Sequence, residues 1–277
     1  MHPHLYFAGR LGSELYRLPH RITFSTHGSV CSRVGVTFHS EEPRDTMNVK
    51  VVLCDIEGTT TSITFAHQVL FPLSYERIEE FLRIHAESLH GEILLVKRQI
   101  GRPPEQINLE EVIDTLKTWI KTDKKETALK SIQGKIWKEA FESGQIKGHV
   151  YPDVPEQLKS WTQQGIKIAI FSSGSVEAQK LIYRYSEVGD LTPFIWAYFD
   201  TSTGPKKDAG SYRLIAQELG VSASEILFLS DVVAELDAAR SAGMKTVLIV
   251  REDTAPPTVN AHQTATNFRE IFLADYK

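Results

Sequence analysis

The string Asp55-Ile56-Glu57-Gly58-Thr59-Thr60-Thr61 places one acid, a second acid two residues on, a glycine and three hydroxyls directly after the apolar run Val49 to Cys54. That run is too short for a helix and reads as a buried strand opening into a loop. Asp55 then stands at the carboxyl end of a strand, where open α/β sheets bind ligands. A carboxylate there can attack phosphorus and form an aspartyl phosphate, provided a cation offsets the repulsion between two anions. Taken alone, the string also describes an ordinary strand-to-turn exit.

Three later stretches carry matching chemistry. Phe171 is followed by Ser172-Ser173-Gly174-Ser175, whose hydroxyls and free backbone N–H groups would suit an anion at a helix start, or would simply cap that helix. Phe199 leads into Asp200 and on to Gly204-Pro205-Lys206-Lys207, where a lysine could meet a phosphate or both could be solvated. Leu229 is followed by Ser230-Asp231, with Glu235 four residues later on the same helix face, and Asp231 could serve as a metal ligand or as an N-cap. Mg²⁺ prefers hard oxygen ligands and keeps several waters, so Asp55 and Asp231 on neighbouring strand ends would suffice together with a phosphate oxygen.

The elements that must position these groups follow from periodicity. Ile166 to Phe171, Ile195 to Phe199, Ile226 to Leu229 and Thr246 to Val250 read as buried strands. Helices at 154–164, 175–186, 208–219 and 232–242 separate them, which with the first strand predicts five parallel strands covered on both faces by right-handed crossovers. Between Phe65 and about Lys147 strand signals vanish. Apolar residues recur there at helical spacing through Phe71–Leu82, Leu109–Ile120 and Leu129–Phe141. The expected organisation is an α/β core of residues 48–64 and 148–277, interrupted by an all-helical cap at 65–147.

Length and charge limit the partners. The 277 residues suit one core with a sizeable insertion, and the formal net charge of -4 argues against nucleic acid. No apolar run reaches membrane-spanning length. Two cysteines, Cys31 and Cys54, make no disulfide framework and point to a reducing compartment. Residues 1–47 hold scattered histidines and no lasting hydrophobic period, which predicts a disordered extension with Met47 opening the functional protein.

In order, Asp55-Ile-Glu57-Gly-Thr59, Ser172-Ser173, Lys206 and Asp231 resemble the four motifs of the haloacid dehalogenase superfamily of Mg²⁺-dependent phosphatases. Glu57 stands where most of that superfamily has Asp. The full string Asp55-Ile-Glu-Gly-Thr-Thr60, with Phe171-Ser-Ser-Gly-Ser175, Phe199-Asp-Thr201, Gly204-Pro-Lys206 and Phe228-Leu-Ser-Asp231, resembles the enolase-phosphatase family of methionine salvage. The resemblance covers residues 48 to about 275.

It implies a haloacid dehalogenase-like doubly wound parallel sheet. It implies Asp55 as nucleophile and metal ligand, and Glu57 as the acid/base whose carbonyl oxygen also meets the metal. Asp231 would complete the protein ligands of one Mg²⁺ per subunit, and Ser172, Ser173 and Lys206 would hold the phosphate, with Lys206 also stabilising the charge that develops on it. The implied substrate is 2,3-diketo-5-methylthiopentyl 1-phosphate, enolised and then dephosphorylated to the acireductone. A monomer in the cytoplasm, with the nucleus as a second compartment, and no nucleic-acid or membrane partner complete the expectation.

Two rivals stand beside this reading: a general small-metabolite phosphatase of the same superfamily, and a non-catalytic phospho-acceptor of the receiver type. The helical insertion and Glu57 both speak against a receiver, which has no use for a cap or for an acid that would hasten hydrolysis. Removal of residues 1–46 is expected to leave activity unchanged and to shift the melting temperature by less than about 3 °C, since about 1 kcal/mol would already be resolvable in a thermal scan.

Overall fold

A computed structural model describes residues 49–254 and 261–276, so the expectation for residues 1–47 lies outside the described residues. Its centre is a parallel sheet in the order β3-β2-β1-β4-β5-β6. The strands are β1 Val51–Cys54, β2 Lys167–Phe171, β3 Ala197–Phe199, β4 Ile226–Ser230, β5 Lys245–Ile249 and β6 Gln263–Ala265. The chain winds outward from β1 through β2 to β3, then returns to lay β4 against the other side of β1. The β1/β4 boundary is therefore the topological switch point, and Asp55 and Asp231 follow those two strands.

Continuous apolar runs make these strands because both faces are covered. Val52, Cys54, Ile168, Ile170, Leu227 and Leu229 face one core cluster, while Val51, Leu53, Ala169, Phe171, Ile226 and Phe228 face the other. Helices α6 Asp153–Gln163 and α7 Val176–Arg184 contribute to the first cluster, and α8 Ala209–Leu219 and α9 Val233–Ser241 to the second. The expected five strands become six, because β6 pairs parallel with β5 through Val247 opposite Gln263. Only three residues long and the last strand of the sheet among the described residues, Gln-Thr-Ala carries no hydrophobic signal.

Between β1 and α6 the chain is helical: α1 Ile63–Phe65 passes through a π-helical turn, Ala66–Leu70, into α2 Phe71–His85, followed by α3 His90–Gln99, α4 Leu109–Lys121 and α5 Thr127–Glu142. Ile78, Leu82, Val96, Val112, Leu116 and Ile132, all fully buried, give these helices a core of their own. α5 serves two masters. Ile132 and Ile136 face that core, whereas Trp137, Ala140 and Phe141 belong to the core beneath the sheet. The Trp137 indole Nε1 donates to the Leu70 carbonyl at 2.9 Å, tying α5 to the π-helical turn. No helix among the described residues is long and apolar enough to cross a membrane.

The loop after β1 is held from behind by a buried ion pair. The Arg251 Nη1 lies 2.8 Å from Asp153 Oδ1, and the Arg251 Nε and Nη2 donate to the Thr59 carbonyl at 3.0 and 2.7 Å. Asp153 Oδ2 also accepts the Phe268 N–H at 2.7 Å, so both charges are satisfied by hydrogen bonds as well as by each other. Removing one partner would strand a buried charge. Arg251→Met is expected to cost about 3–5 kcal/mol. The Arg251→Met/Asp153→Leu pair should recover a large part of that loss in urea denaturation; a double variant no more stable than the single one would show that the pair does not govern this packing.

Candidate active site

Asp55 leaves β1 with its backbone N–H still bonded to Leu229 of β4 at 2.9 Å, which fixes where the side chain begins. The chain then folds into a tight turn in which the N–H groups of Thr59, Thr60 and Thr61 all point at the Ile56 carbonyl, at 3.1, 2.9 and 2.8 Å. Thr60 and Thr61 spend their hydroxyls on the scaffold, Thr60 against the Tyr183 hydroxyl at 2.7 Å and Thr61 on the His149 carbonyl at 2.9 Å. Gly58 sits at φ +72°, where a Cβ would run into the Asp231 carboxylate. A glycine is required there both for the turn and for Asp231 to approach.

Lys206 reaches this turn from the loop after β3. Its Nζ lies 2.6 Å from Asp55 Oδ1 and 2.7 Å from Glu235 Oε2, and its side chain is only 10% exposed. Asp55 Oδ1 also accepts the Ile56 N–H at 2.7 Å. Burial alone would discharge a lysine, but the Asp55 and Glu235 carboxylates outweigh it and hold the Lys206 ammonium above its ordinary range. The loop is shaped for this purpose: the Tyr212 hydroxyl donates to the Lys206 carbonyl at 2.7 Å, Ser211 Oγ donates to the Pro205 carbonyl at 2.8 Å, and Gly204 leaves room for Ser211. Lys207, one residue on, is exposed.

Four carboxylates crowd this end of the sheet. Burial first, then the Asp55 charge, push both Asp231 and Glu235 up to about 7. The same two causes raise Glu57. Glu235 is anchored by Ser230 Oγ, which donates to its Oε2 at 3.1 Å. Asp231 does not cap α9. That helix starts after Val232, whose N–H is taken by Ser230 Oγ at 3.1 Å, so the Asp231 carboxylate is free to face the loop of Gly58.

The serines after β2 divide their duties. Ser175 Oγ accepts the Ala178 N–H at 3.3 Å and caps α7, so the capping reading holds for this residue. Ser172 and Ser173 do not cap that helix and line a cleft together with Glu57, which Ser175 also borders. The opposite wall of that cleft comes from the helical insertion and includes Phe71, Trp119, Lys125, Lys130, Gln133 and Trp137. Burial, with the neighbouring Lys125 charge, lowers Lys130, whose Nζ donates to the Ser173 carbonyl at 3.0 Å.

The residues singled out in the sequence thus gather in two adjoining sets. Asp55, Lys206 and Asp231 meet at the β1/β4 boundary, and Glu57, Ser172 and Ser173 line the cleft beside it. Sequence reasoning noticed Glu235 on the same face as Asp231 but missed that it is the second partner of Lys206. It missed Arg251 and Asp153 entirely, since single charges 98 residues apart leave no local pattern.

The donor set fits a hard divalent cation. Two carboxylates on adjacent strand ends and a surplus of negative charge are what such an ion takes, and the missing Cβ at Gly58 leaves room for the Asp231 carboxylate. Among the described residues no group of three or more His, Cys, Asp or Glu side chains is arranged to hold a metal, so the fit is to a centre completed by carbonyl, water or substrate oxygens.

Lys206→Ala is expected to lower kcat/KM by about 100-fold, roughly 3 kcal/mol, and Lys207→Ala to change it less than about two-fold. Steady-state kinetics on the two variants would expose a misplaced register if the effects were reversed.

Residues 49–243 match the model of the haloacid dehalogenase-like hydrolases. The chain is 46% identical to the enolase-phosphatase E1 of Sorangium cellulosum across 80% of its own length and 97% of that protein. To the enolase-phosphatase E1 of Serratia proteamaculans it is 43% identical across 82% and 99%. The crystal structure of the UTR4 protein from Saccharomyces cerevisiae, 33% identical, superposes with a TM-score of 0.68 over 80% of this chain and all of that one. Coverage of whole relatives at this identity, on a sheet whose strand ends carry these groups, shows that the chain belongs to the enolase-phosphatase E1 family of haloacid dehalogenase-like hydrolases.

Proposed function

We propose that this enolase-phosphatase of methionine salvage works through an aspartyl phosphate on Asp55 and uses Glu57 as its proton carrier. The observation that carries the reading is the buried Asp55 carboxylate with the Lys206 ammonium 2.6 Å from its Oδ1, beside a cleft lined by Glu57, Ser172 and Ser173. The substrate is 2,3-diketo-5-methylthiopentyl 1-phosphate and the products are the acireductone and inorganic phosphate.

Ser172, Ser173 and Lys206 hold the phosphoryl oxygens, and Asp55 attacks phosphorus as the ester oxygen leaves. Haloacid dehalogenase-like hydrolases are generally Mg²⁺-dependent; Asp55, Asp231 and the Glu57 carbonyl would hold the ion, which supplies positive charge against the two approaching anions. Burial and the Asp55 charge favour the protonated form of Glu57, as a general acid requires. After protonating the leaving oxygen, Glu57 is left as a base for the water that hydrolyses the acyl phosphate. The helical stretch 65–147 acts as the cap that keeps bulk water from this intermediate, because its wall closes the cleft opposite Glu57.

The test follows both halves of the reaction at once. With the diketo phosphate in D₂O, wild-type protein should exchange the C1 proton and release phosphate, whereas Glu57→Gln should slow phosphate release by about 10²- to 10⁴-fold and retain exchange. Parallel loss of both would make Glu57 the enolisation base instead. Wild-type release at the same rate from many unrelated phosphate esters would favour a general phosphatase.

A further inference from the structure

α5 presents one stripe to the cleft, Leu129, Lys130, Gln133 and Trp137, at the spacing of successive helical turns. Leu129 and Trp137 supply apolar surface. Lys130 is engaged, since its Nζ donates to the Ser173 carbonyl at 3.0 Å and to Thr201 Oγ1 at 3.3 Å. Gln133 differs from all three. It is 5% exposed, yet its carboxamide has no hydrogen-bond partner among the described residues. Polar groups largely out of solvent are usually paired, and the little of this side chain that stays exposed borders the cleft, where an apolar residue of equal length would keep the packing and the helix propensity. Nothing in the protein therefore uses this amide, and what remains to use it is a molecule in the cleft.

We propose that Gln133 is a catalytic residue of the enolisation half-reaction, its carboxamide hydrogen-bonding the adjacent C2 and C3 oxygens of the substrate and doing so better once the enol has formed. This assignment rests on the diketo phosphate being the substrate. Glu57, Ser172 and Ser173 line the same cleft, so a phosphoryl group held on that side leaves the neighbouring carbons in the space that Gln133 borders.

The selectivity comes from donor and acceptor pattern. A vicinal diketone offers two acceptors, and a carboxamide offers one donor edge and one acceptor, so only the N–H side is matched while Oε1 faces a second carbonyl oxygen. Enolisation removes a proton from C1. The C1–H electron pair becomes the C1=C2 bond, and the π pair of the C2 carbonyl becomes a lone pair on its oxygen, which takes up a proton, so no co-reactant is consumed. The result is a hydroxyl beside a carbonyl, a donor beside an acceptor, which is the complement of the amide. One good hydrogen bond becomes two along the reaction coordinate, and interactions that strengthen in that direction are the ones that accelerate the step.

Gln133→Met keeps length and helix propensity and removes both polar atoms. In D₂O with the diketo phosphate, exchange at C1 is expected to fall about ten- to a hundred-fold further than hydrolysis of p-nitrophenyl phosphate, which lacks the carbonyl pair. The melting temperature should stay level, because the amide bonds no other described residue and borders the cleft. Exchange at the wild-type rate in Gln133→Met would overturn the assignment. So would a lower melting temperature with exchange and p-nitrophenyl phosphate hydrolysis falling in step, since that pattern belongs to a structural residue. A wild-type protein that hydrolyses p-nitrophenyl phosphate but neither exchanges nor hydrolyses the diketo phosphate would instead overturn the substrate, and the assignment with it.

Discussion

A single ammonium group holds the business end of this sheet together. Lys206 Nζ stands between Asp55, from the end of β1, and Glu235, from the start of α9, and it arrives on the loop that follows β3. Three separate crossovers are thereby tied to one point. Burying three charges is costly, and the cost is met only because each is paired at hydrogen-bond distance and supported by neutral donors such as the Ile56 N–H and Ser230 Oγ. Specificity of geometry is what this arrangement gives in return: Lys206 can contact both acids only if the β3 loop, the β1 turn and α9 keep their present positions.

The rest of the molecule can be seen as support for that geometry. Arg251, paired with Asp153, donates to the Thr59 carbonyl from beneath, while Tyr183 and His149 take up the hydroxyls of the next two threonines. The turn that carries Asp55 and Glu57 is thus over-determined from several elements, as a site needs if its groups are to be in place before a substrate arrives. Above it, the helical insertion has a core of its own yet shares α5 with the core of the sheet. That division lets one face of a helix carry stability while residues at its edge line the cleft.

How much of this was legible depended on whether a residue's role is local. β1, β2 and β4 could be read directly, because strands buried on both faces must be apolar throughout, and Asp55, Ser172 and Asp231 could be placed at or just beyond their ends. β6 could not, since a three-residue edge strand of Gln, Thr and Ala satisfies only backbone pairing. α3 escaped for a related reason: it buries only Ile93 and Val96, too few to set a period. In the site, the types Asp, Ser, Lys and Asp in strand order were enough to point to the family and to candidate groups that the fold brings close together. The Glu235 bond to Lys206, the Arg251 bond to Asp153 and the place of Gln133 in the cleft wall are properties of folded proximity, and no spacing in the chain encodes them.

The two strands that bound the sheet are also its shortest. β3 and β6 have three residues each, and beside β3 the Lys167 ammonium covers the ring of Trp196 at 3.7 Å. A sheet border recruits a second molecule by offering a row of free N–H and C=O groups, and a strand of three residues keeps any such row short. The polar Gln263 and Thr264 and a lysine-capped indole make those borders poorer still as templates. The lateral growth that turns exposed sheets into aggregates is thus curtailed at both described borders by strand length, independently of the candidate groups at the strand ends.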